Sequence, residues 1–360
     1  MTLTFSDVPA GATADADREA VLAAPGFGTR FTDHMVSATW SPGEGWHDAR
    51  LGPYAPIQLD PAAATLHYAQ AIFEGLKAYR HDDGSVWAFR PEANAARFQA
   101  SARRLALPEL EVDDFVAAID TLVAADRAWV PSAPETSLYL RPFMFASEAF
   151  LGVRPAQEVT FCLIASPAGP YFATGVAGVS IWLSSDYTRA APGGTGAAKC
   201  AGNYAASLLA MQQAAEHGCA QVVFLDAVER RWVEELGGMN LFFVHADKTL
   251  VTPALTGTIL EGITRSSILT LAEEQGLTVT ERRVSITDWQ DGASSGEITE
   301  VFACGTAAVV TPVSRLAWDS GEVTIGSGDP GPVTLGLRRA LVDLQYGRVP
   351  DRHGWMHRIC

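Results

Sequence analysis

Residues 195–211 read TGAAKCAGNYAASLLAM. A single long cation, Lys199, stands among glycine, alanine and cysteine, just ahead of a helix-like run. The stretch resembles a phosphate loop only superficially. That loop needs Gly before its lysine and Ser or Thr after it. Here the flanking residues are Ala198 and Cys200. A dinucleotide fingerprint fails as well, because Lys199 occupies the place of its third glycine. A lysine in a loop is most often a solvated charge. Small neighbours change that reading: they let a planar ligand approach the backbone, and partial desolvation lowers an amine's pKa. Such a lysine can form a Schiff base with a carbonyl compound.

The commonest carbonyl cofactor held this way is pyridoxal 5′-phosphate. It also demands a carboxylate for the pyridine nitrogen, a donor for the phenolic oxygen, and a cup for the phosphate. Each has a candidate. Glu234 and Glu235 lie between apolar strand runs; adjacent strand residues face opposite ways, so one of the pair can turn inward. Tyr204, five residues after Lys199, reaches for a ligand edge or simply packs in the core. Arg97 lies beside the apolar stripe of a helix, where a solvated charge is the ordinary expectation. TGTILEGITR (256–265) offers glycines, threonines and a helix start, the makings of an amide nest.

Elsewhere the pattern is mixed α/β. Phe98, Ala102 and Leu105 share one helical face, as do Phe115, Ile119, Leu122 and Trp129. A further helix is expected with Tyr204, Leu208, Met211 and Ala215 in phase. A chain of 360 residues favours two domains. The expected layout is a loosely structured extension (1–30), a small α/β domain (31–166), a Pro/Gly-rich linker (167–175) and a larger domain (176–360). The net charge of −15 disfavours nucleic acid and anionic membranes as partners. No apolar run reaches the ~18 residues of a membrane span. The N-terminal segment lacks the features of a signal or transit peptide. Five scattered cysteines without a CxxC pair point to a reducing, cytoplasmic setting. His353 and His357 are four apart but sit in the tail and read as solvated surface, so no metal is expected.

Ten blocks, in order, resemble the branched-chain amino acid aminotransferases. They are GWHDAR, LHYAQAIFEGLKAYR, RPEANAARF, SLYLRPFMF, FLGVRPA, GGTGAAKCAGNYAASLL, VEELGGMNLFF, LVTPALTGTILEGITRSS, GEITEVFACGTAAVVTPV and HGWMH. The resemblance implies the two-domain architecture of fold type IV pyridoxal-phosphate enzymes, with a mixed, barrel-like sheet in the larger domain. It implies that Lys199 carries the cofactor, that Tyr204 bonds its phenolic oxygen and that Glu235 faces its pyridine nitrogen. Arg97, Thr258, Ile259 and Thr306 would hold its phosphate. Thr306 and Ala307 would receive the substrate α-carboxylate. Tyr68 and Phe73 would line the pocket, and Tyr139 and Arg141 would recognise side chains. Leu151 and Val153 would reach the pocket of a neighbouring subunit in a homodimer. Mammalian relatives carry a CxxC redox pair after the Gly-Thr-Ala turn; Ala308 and Thr311 stand there, so no such regulation is expected.

The implied reaction moves an amino group between leucine, isoleucine or valine and 2-oxoglutarate, by a ping-pong route. A D-amino acid aminotransferase or an aminodeoxychorismate lyase of the same fold is the alternative, disfavoured by the matches at LHY, LYLRP and CGTAA. A nicotinamide oxidoreductase lacks its fingerprint. A non-enzymatic binding protein would not need the lysine, tyrosine, glutamate and arginine together.

Overall fold

The computed structural model describes residues 3–7, 11–170 and 176–360. Two compact units emerge. The first comprises Met1–Pro170, Ala198–Ala201 and Asp343–Cys360; the second comprises Tyr171–Ala197 and Gly202–Val342. Of the stretch read as a linker, residues 171–175 lie outside the described ones.

The first unit is built on a nine-stranded sheet. Its strands are β1 (Ser6–Asp7), β2 (His34–Ser41), β3 (Gly45–Pro53), β4 (Ala71–Phe73), β5 (Leu76–Arg80), β6 (Val86–Phe89), β7 (Ser137–Ala146), β8 (Val159–Ala168) and the C-terminal Met356–Arg358. The order is β1-β3-β2-β8-β7-β5-β6-C-terminal strand, with β4 also on β7. Only β1 and β3 run parallel. β7 shows why the sheet has a core side and a working side. Leu138, Leu140 and Met144 are fully buried, while Tyr139, Arg141 and Phe143 alternate with them on the other face. Helices α1 (Asp15–Ala23), α2 (Ala64–Tyr68), α3 (Pro91–Arg104) and α4 (Val112–Ala125) accompany the sheet. Residues 1–30, expected to be loosely held, thus contain β1 and α1. Pro91 opens α3, a position where its missing N–H costs nothing. Phe98 of α3 meets Phe115 of α4 at 5.4 Å and Phe161 of β8 at 6.0 Å between ring centroids. Each ring buried there contributes about 1.5–3 kcal/mol relative to exposure.

The second unit holds β9 (Val179–Leu183), β10 (Gln221–Leu225), β11 (Val233–Leu236), β12 (Asn240–His245), β13 (Thr249–Thr252), β14 (Thr278–Glu281), β15 (Ile298–Gly305), β16 (Val309–Trp318) and β17 (Gly321–Thr324). They form a mixed sheet in the order β11-β10-β9-β16-β15-β12-β13-β14, with β17 also on β16. β9 lies parallel to both β10 and β16. Its helices are α5 (Ala201–Glu216), α6 (Ile263–Glu274), α7 (Ile286–Ser295) and α8 (Pro332–Gln345). A reciprocal cap opens α7: Ser285 Oγ accepts from the Asp288 amide and Asp288 accepts from the Ser285 amide. Trp289 of α7 then seats edge-on against Phe243, 5.1 Å away.

The helical phase expected for α5 is not the one that packs. Asn203, Ser207, Ala210 and Ala214 are buried, whereas Leu208 is 63 % exposed. The helix is alanine-rich on every side, so periodicity favours the large residues. Packing instead selects the small ones, which allow close approach.

Candidate active site

Lys199 groups with the first unit as part of the short segment Ala198–Ala201, whereas the chain before and after that segment belongs to the second. Its carbonyl accepts the Phe73 amide at 3.0 Å and its own amide donates to Ser101 Oγ at 2.9 Å. Cys200 bridges to Ile72 and is buried in the first unit's core. This explains the small flanking residues: the segment lies tight against β4 and α3. The Lys199 ammonium stands 4.8 Å from the Phe73 ring centroid. Burial, and then the Arg97 guanidinium, push the amine down to about 8 against an opposing pull from Glu74.

Glu74 was not singled out in the sequence, and it organises this cluster. It is fully buried and takes two hydrogen bonds from Arg97, Nε to Oε1 and Nη2 to Oε2, each 2.8 Å. Asn94 adds a third at 2.7 Å. Burial raises the Glu74 pKa, but Arg97 and Lys199 outweigh it and the net shift is downward. So Arg97, expected at a phosphate, lies in a fork-to-fork ion pair. The legible signal was a charge inside the apolar run AIFEGLKAY.

Tyr139 and Arg141 share a face of β7, as two-residue spacing requires. Arg141 donates to the Tyr139 hydroxyl at 2.9 Å and stacks 4.8 Å over Phe73. Its Nε is buried and, among the described residues, has no partner. Gly75 makes room for this group: a Cβ there would collide with the Tyr139 oxygen. Lys199, Phe73, Tyr139, Arg141 and Arg97 are therefore one cluster. Tyr68 is separate in its bonding; its hydroxyl donates to the Leu151 carbonyl. Leu151 and Val153 are 63 % and 87 % exposed.

In the second unit, both acids of β11 are buried, where alternation had suggested one inward residue. Each meets the 256–260 strap. Glu235 accepts the Leu260 amide at 2.9 Å and pairs with Arg189 at 2.6 Å. Glu234 takes the Thr258 hydroxyl. Arg189, also not singled out in the sequence, donates to the Gly196 carbonyl at 2.9 Å and to the Thr258 carbonyl. Asn240 holds the Leu260 carbonyl at 3.0 Å. Gly196 is required here, since a Cβ would collide with the Thr258 carbonyl oxygen. Thr258 and Ile259 are thereby fixed, both buried. Tyr204 lies in the first turn of α5 close to Gly238, whose added Cβ would sit 3.5 Å from the ring. Thr306 and Ala307 lie in the turn closed by the Gly305–Val309 pair. The tail histidine His357 bonds Asp120 at 2.9 Å. Among the described residues no group of three metal-ligating side chains occurs, and no helix is long and apolar enough to cross a membrane.

The donor set fits pyridoxal phosphate. The first unit carries a lysine amine near neutrality, and the second carries a buried carboxylate kept beside a cation and a pinned strap. Comparison with known proteins agrees. The amino-transferase class IV family matches residues 71–316. The chain is a class IV aminotransferase. A probable branched-chain-amino-acid aminotransferase of Streptomyces coelicolor is 60% identical over 96% of this class IV chain and 95% of its own. The branched-chain-amino-acid aminotransferase of Mycolicibacterium smegmatis is 60% identical over the same shares. Among solved structures, the Escherichia coli branched-chain amino acid aminotransferase aligns with TM-score 0.75 at 30% identity, covering 90% of this chain and 100% of that one. The Thermobaculum terrenum branched-chain amino acid aminotransferase in its PLP-form aligns with TM-score 0.71 at 27% identity, over 90% and 98%. Fold type IV is thus the architecture of this class IV aminotransferase.

Proposed function

We propose that this enzyme transfers the amino group of leucine, isoleucine or valine to 2-oxoglutarate, with pyridoxal 5′-phosphate bound at Lys199. The observation that carries the reading is Lys199 itself. Its backbone is held from both sides and its amine is lowered to about 8, which suits both attachment and proton transfer. The near full-length identity to branched-chain aminotransferases supports the substrate class.

When bound, the cofactor supplies a reactive carbonyl and an electron-withdrawing ring. Lys199 then takes the proton from the substrate α-carbon. Glu235, paired with Arg189, would hold a proton at the ring nitrogen. Tyr204 donates to the phenolic oxygen. Arg97, Thr258, Ile259 and Thr306 bind the phosphate, and Glu74 aims Arg97. Thr306 and Ala307 receive the α-carboxylate. Phe73, Tyr68 and Tyr139 offer the branched side chain an apolar wall. Arg141, with its unpartnered buried Nε, meets the distal carboxylate of 2-oxoglutarate. The test is a visible spectrum. The holoenzyme band should fade on adding each branched-chain amino acid and return with 2-oxoglutarate; a band that D-alanine bleaches and L-leucine does not would support the D-amino acid alternative.

The working unit in this proposal is a homodimer in the cytoplasm. Leu151 and Val153 expose apolar side chains on a loop, a placement that favours a covering partner. The cysteines are all free, four of them buried, as suits a reducing compartment. Leu151→Asp should raise KM for leucine while cofactor content stays at one per chain. Mixed with Lys199→Ala, it should restore activity, because one hybrid site joins an intact Lys199 to a neighbour's intact Leu151. Verified subunit exchange without recovered turnover would refute the shared site.

A further inference from the structure

Arg189 sits in the loop that leaves β9 and is only 7 % exposed. A cation this deep is destabilising unless its N–H groups are met. Among the described residues its bonding runs through one nitrogen, Nη2, while Nε is buried without a partner. Around Nη2 stand oxygens from three separate segments. Glu235 Oε1, on β11, lies 2.6 Å away. The Gly196 carbonyl, three residues before Lys199 in the chain, lies 2.9 Å away. The Thr258 carbonyl, in the strap, completes the set. Nη2 has two hydrogens for these oxygens, so one is shared.

Holding a carbonyl also orients the peptide behind it. The Thr258–Ile259 peptide is trans, so its N–H points opposite to its C=O. With the carbonyl turned to Arg189, the Ile259 N–H is turned away from the guanidinium. Among the described residues nothing accepts that N–H. The cation polarises the peptide from its carbonyl end, which strengthens the N–H as a donor. The Ile259 amide is thereby aimed at an anion on the far side of the strap. The Leu260 N–H differs: Glu235 Oε1 takes it, the same oxygen that meets Arg189. Carboxylate and strap are thus fastened to each other twice, once directly and once through Arg189.

We propose that Arg189 is a positioning residue for the cofactor, one buried cation that sets the ring-nitrogen end and the phosphate end together. The proposal rests on the cofactor placement given above, with Glu235 at the ring nitrogen and the strap at the phosphate. In this role Arg189 touches neither end. It acts on the ring nitrogen through the Glu235 carboxylate and on the phosphate through the Thr258–Ile259 peptide. Neutralising Glu235 would need only one of the oxygens around Nη2; the Thr258 carbonyl is what couples the two ends.

The test reads the ends separately, in holoenzyme whose cofactor carries an isotopic label at the ring nitrogen. Nitrogen NMR reports the proton there, and phosphorus NMR reports the donors around the phosphate. Arg189→Gln should shift both resonances. It should also raise the Kd of pyridoxamine 5′-phosphate, which makes no covalent bond to Lys199, about tenfold or more. Arg189→Lys keeps the charge and puts three N–H groups on one nitrogen, so it should bring that Kd back to within about threefold and move the phosphorus resonance toward its original position. Glu235→Gln should shift the nitrogen resonance alone, because Arg189 still holds the Thr258 carbonyl. A folded Arg189→Gln holoenzyme that shifts only the nitrogen resonance overturns the coupling and leaves Arg189 a partner of Glu235. One that shifts neither and merely lowers Tm overturns it too. Should Arg189→Gln not fold, Gly196→Ala decides, since its added Cβ collides with the Thr258 carbonyl oxygen and displaces it from Arg189. That variant should move the phosphorus resonance and leave the nitrogen one; an unmoved phosphorus resonance overturns the proposal. If Glu235→Gln leaves the nitrogen resonance where it was, the cofactor placement itself fails, and this inference with it.

Discussion

Lys199→Ala should abolish transamination outright, with no turnover above the uncatalysed background. Alanine retains the backbone hydrogen bonds to Phe73 and Ser101, so the fold and the rest of the cluster should survive. Activity is lost because no other side chain supplies both the covalent anchor and the mobile proton. Borohydride reduction of the unaltered holoenzyme, followed by peptide mapping, should label Lys199; a label on Lys77 or Lys248 would refute the assignment. The same residue carries a pH signature. With the amine at about 8 instead of its ordinary 10.5, about a tenth is neutral at pH 7, against about one part in three thousand otherwise. The neutral amine is the nucleophile, so the rate of cofactor attachment to apoenzyme should climb with pH and level off above about 8. Glu74 pulls the amine upward. Glu74→Gln should therefore move that plateau to lower pH. A plateau unchanged in the variant, or one reached only near pH 10, contradicts the cluster as described.

Glu235→Gln should cost on the order of 10²-fold or more in kcat. The amide can still accept the Leu260 N–H, so the strap stays held. What disappears is the negative charge, and with it the reason for a proton to remain on the ring nitrogen. The change also leaves Arg189 as a buried cation with only carbonyl partners. Breaking a buried ion pair from one side costs about 3–5 kcal/mol, so a lowered Tm should accompany the rate loss. Glu234→Gln is the control. Glu234 is assigned to the other face of the strand, and an amide oxygen there can still take the Thr258 hydroxyl. Its kcat should stay within a few-fold of the unaltered enzyme. Reversal of these two results would show that the wrong face of β11 had been assigned.

Much of this molecule is determined locally, and local rules read it. The faces of α3 and α4 follow from apolar spacing, because a helix must bury one stripe whatever it packs against. The working face of β7 obeys alternation, but Tyr139 and Arg141 were singled out on it by the family resemblance. Lys199 was conspicuous because a long cation among small residues contradicts the ordinary solvated role. Three features needed the tertiary structure. Glu74 is conspicuous only as a charge in an apolar run, and Arg189 not at all; their importance lies in partners 23 and 46 residues away, and ion pairing at such separations leaves no periodic trace. Glu234 and Glu235 could be assigned opposite faces, but not both to buried ones, because a strand's pattern does not say whether one or both sides are covered. The side of α5 that packs was hidden too: close approach between elements selects small side chains, and a sequence scan weighs the large ones. Local spacing thus sets which residues can act together, and the packing of distant segments decides which buried charges they answer to.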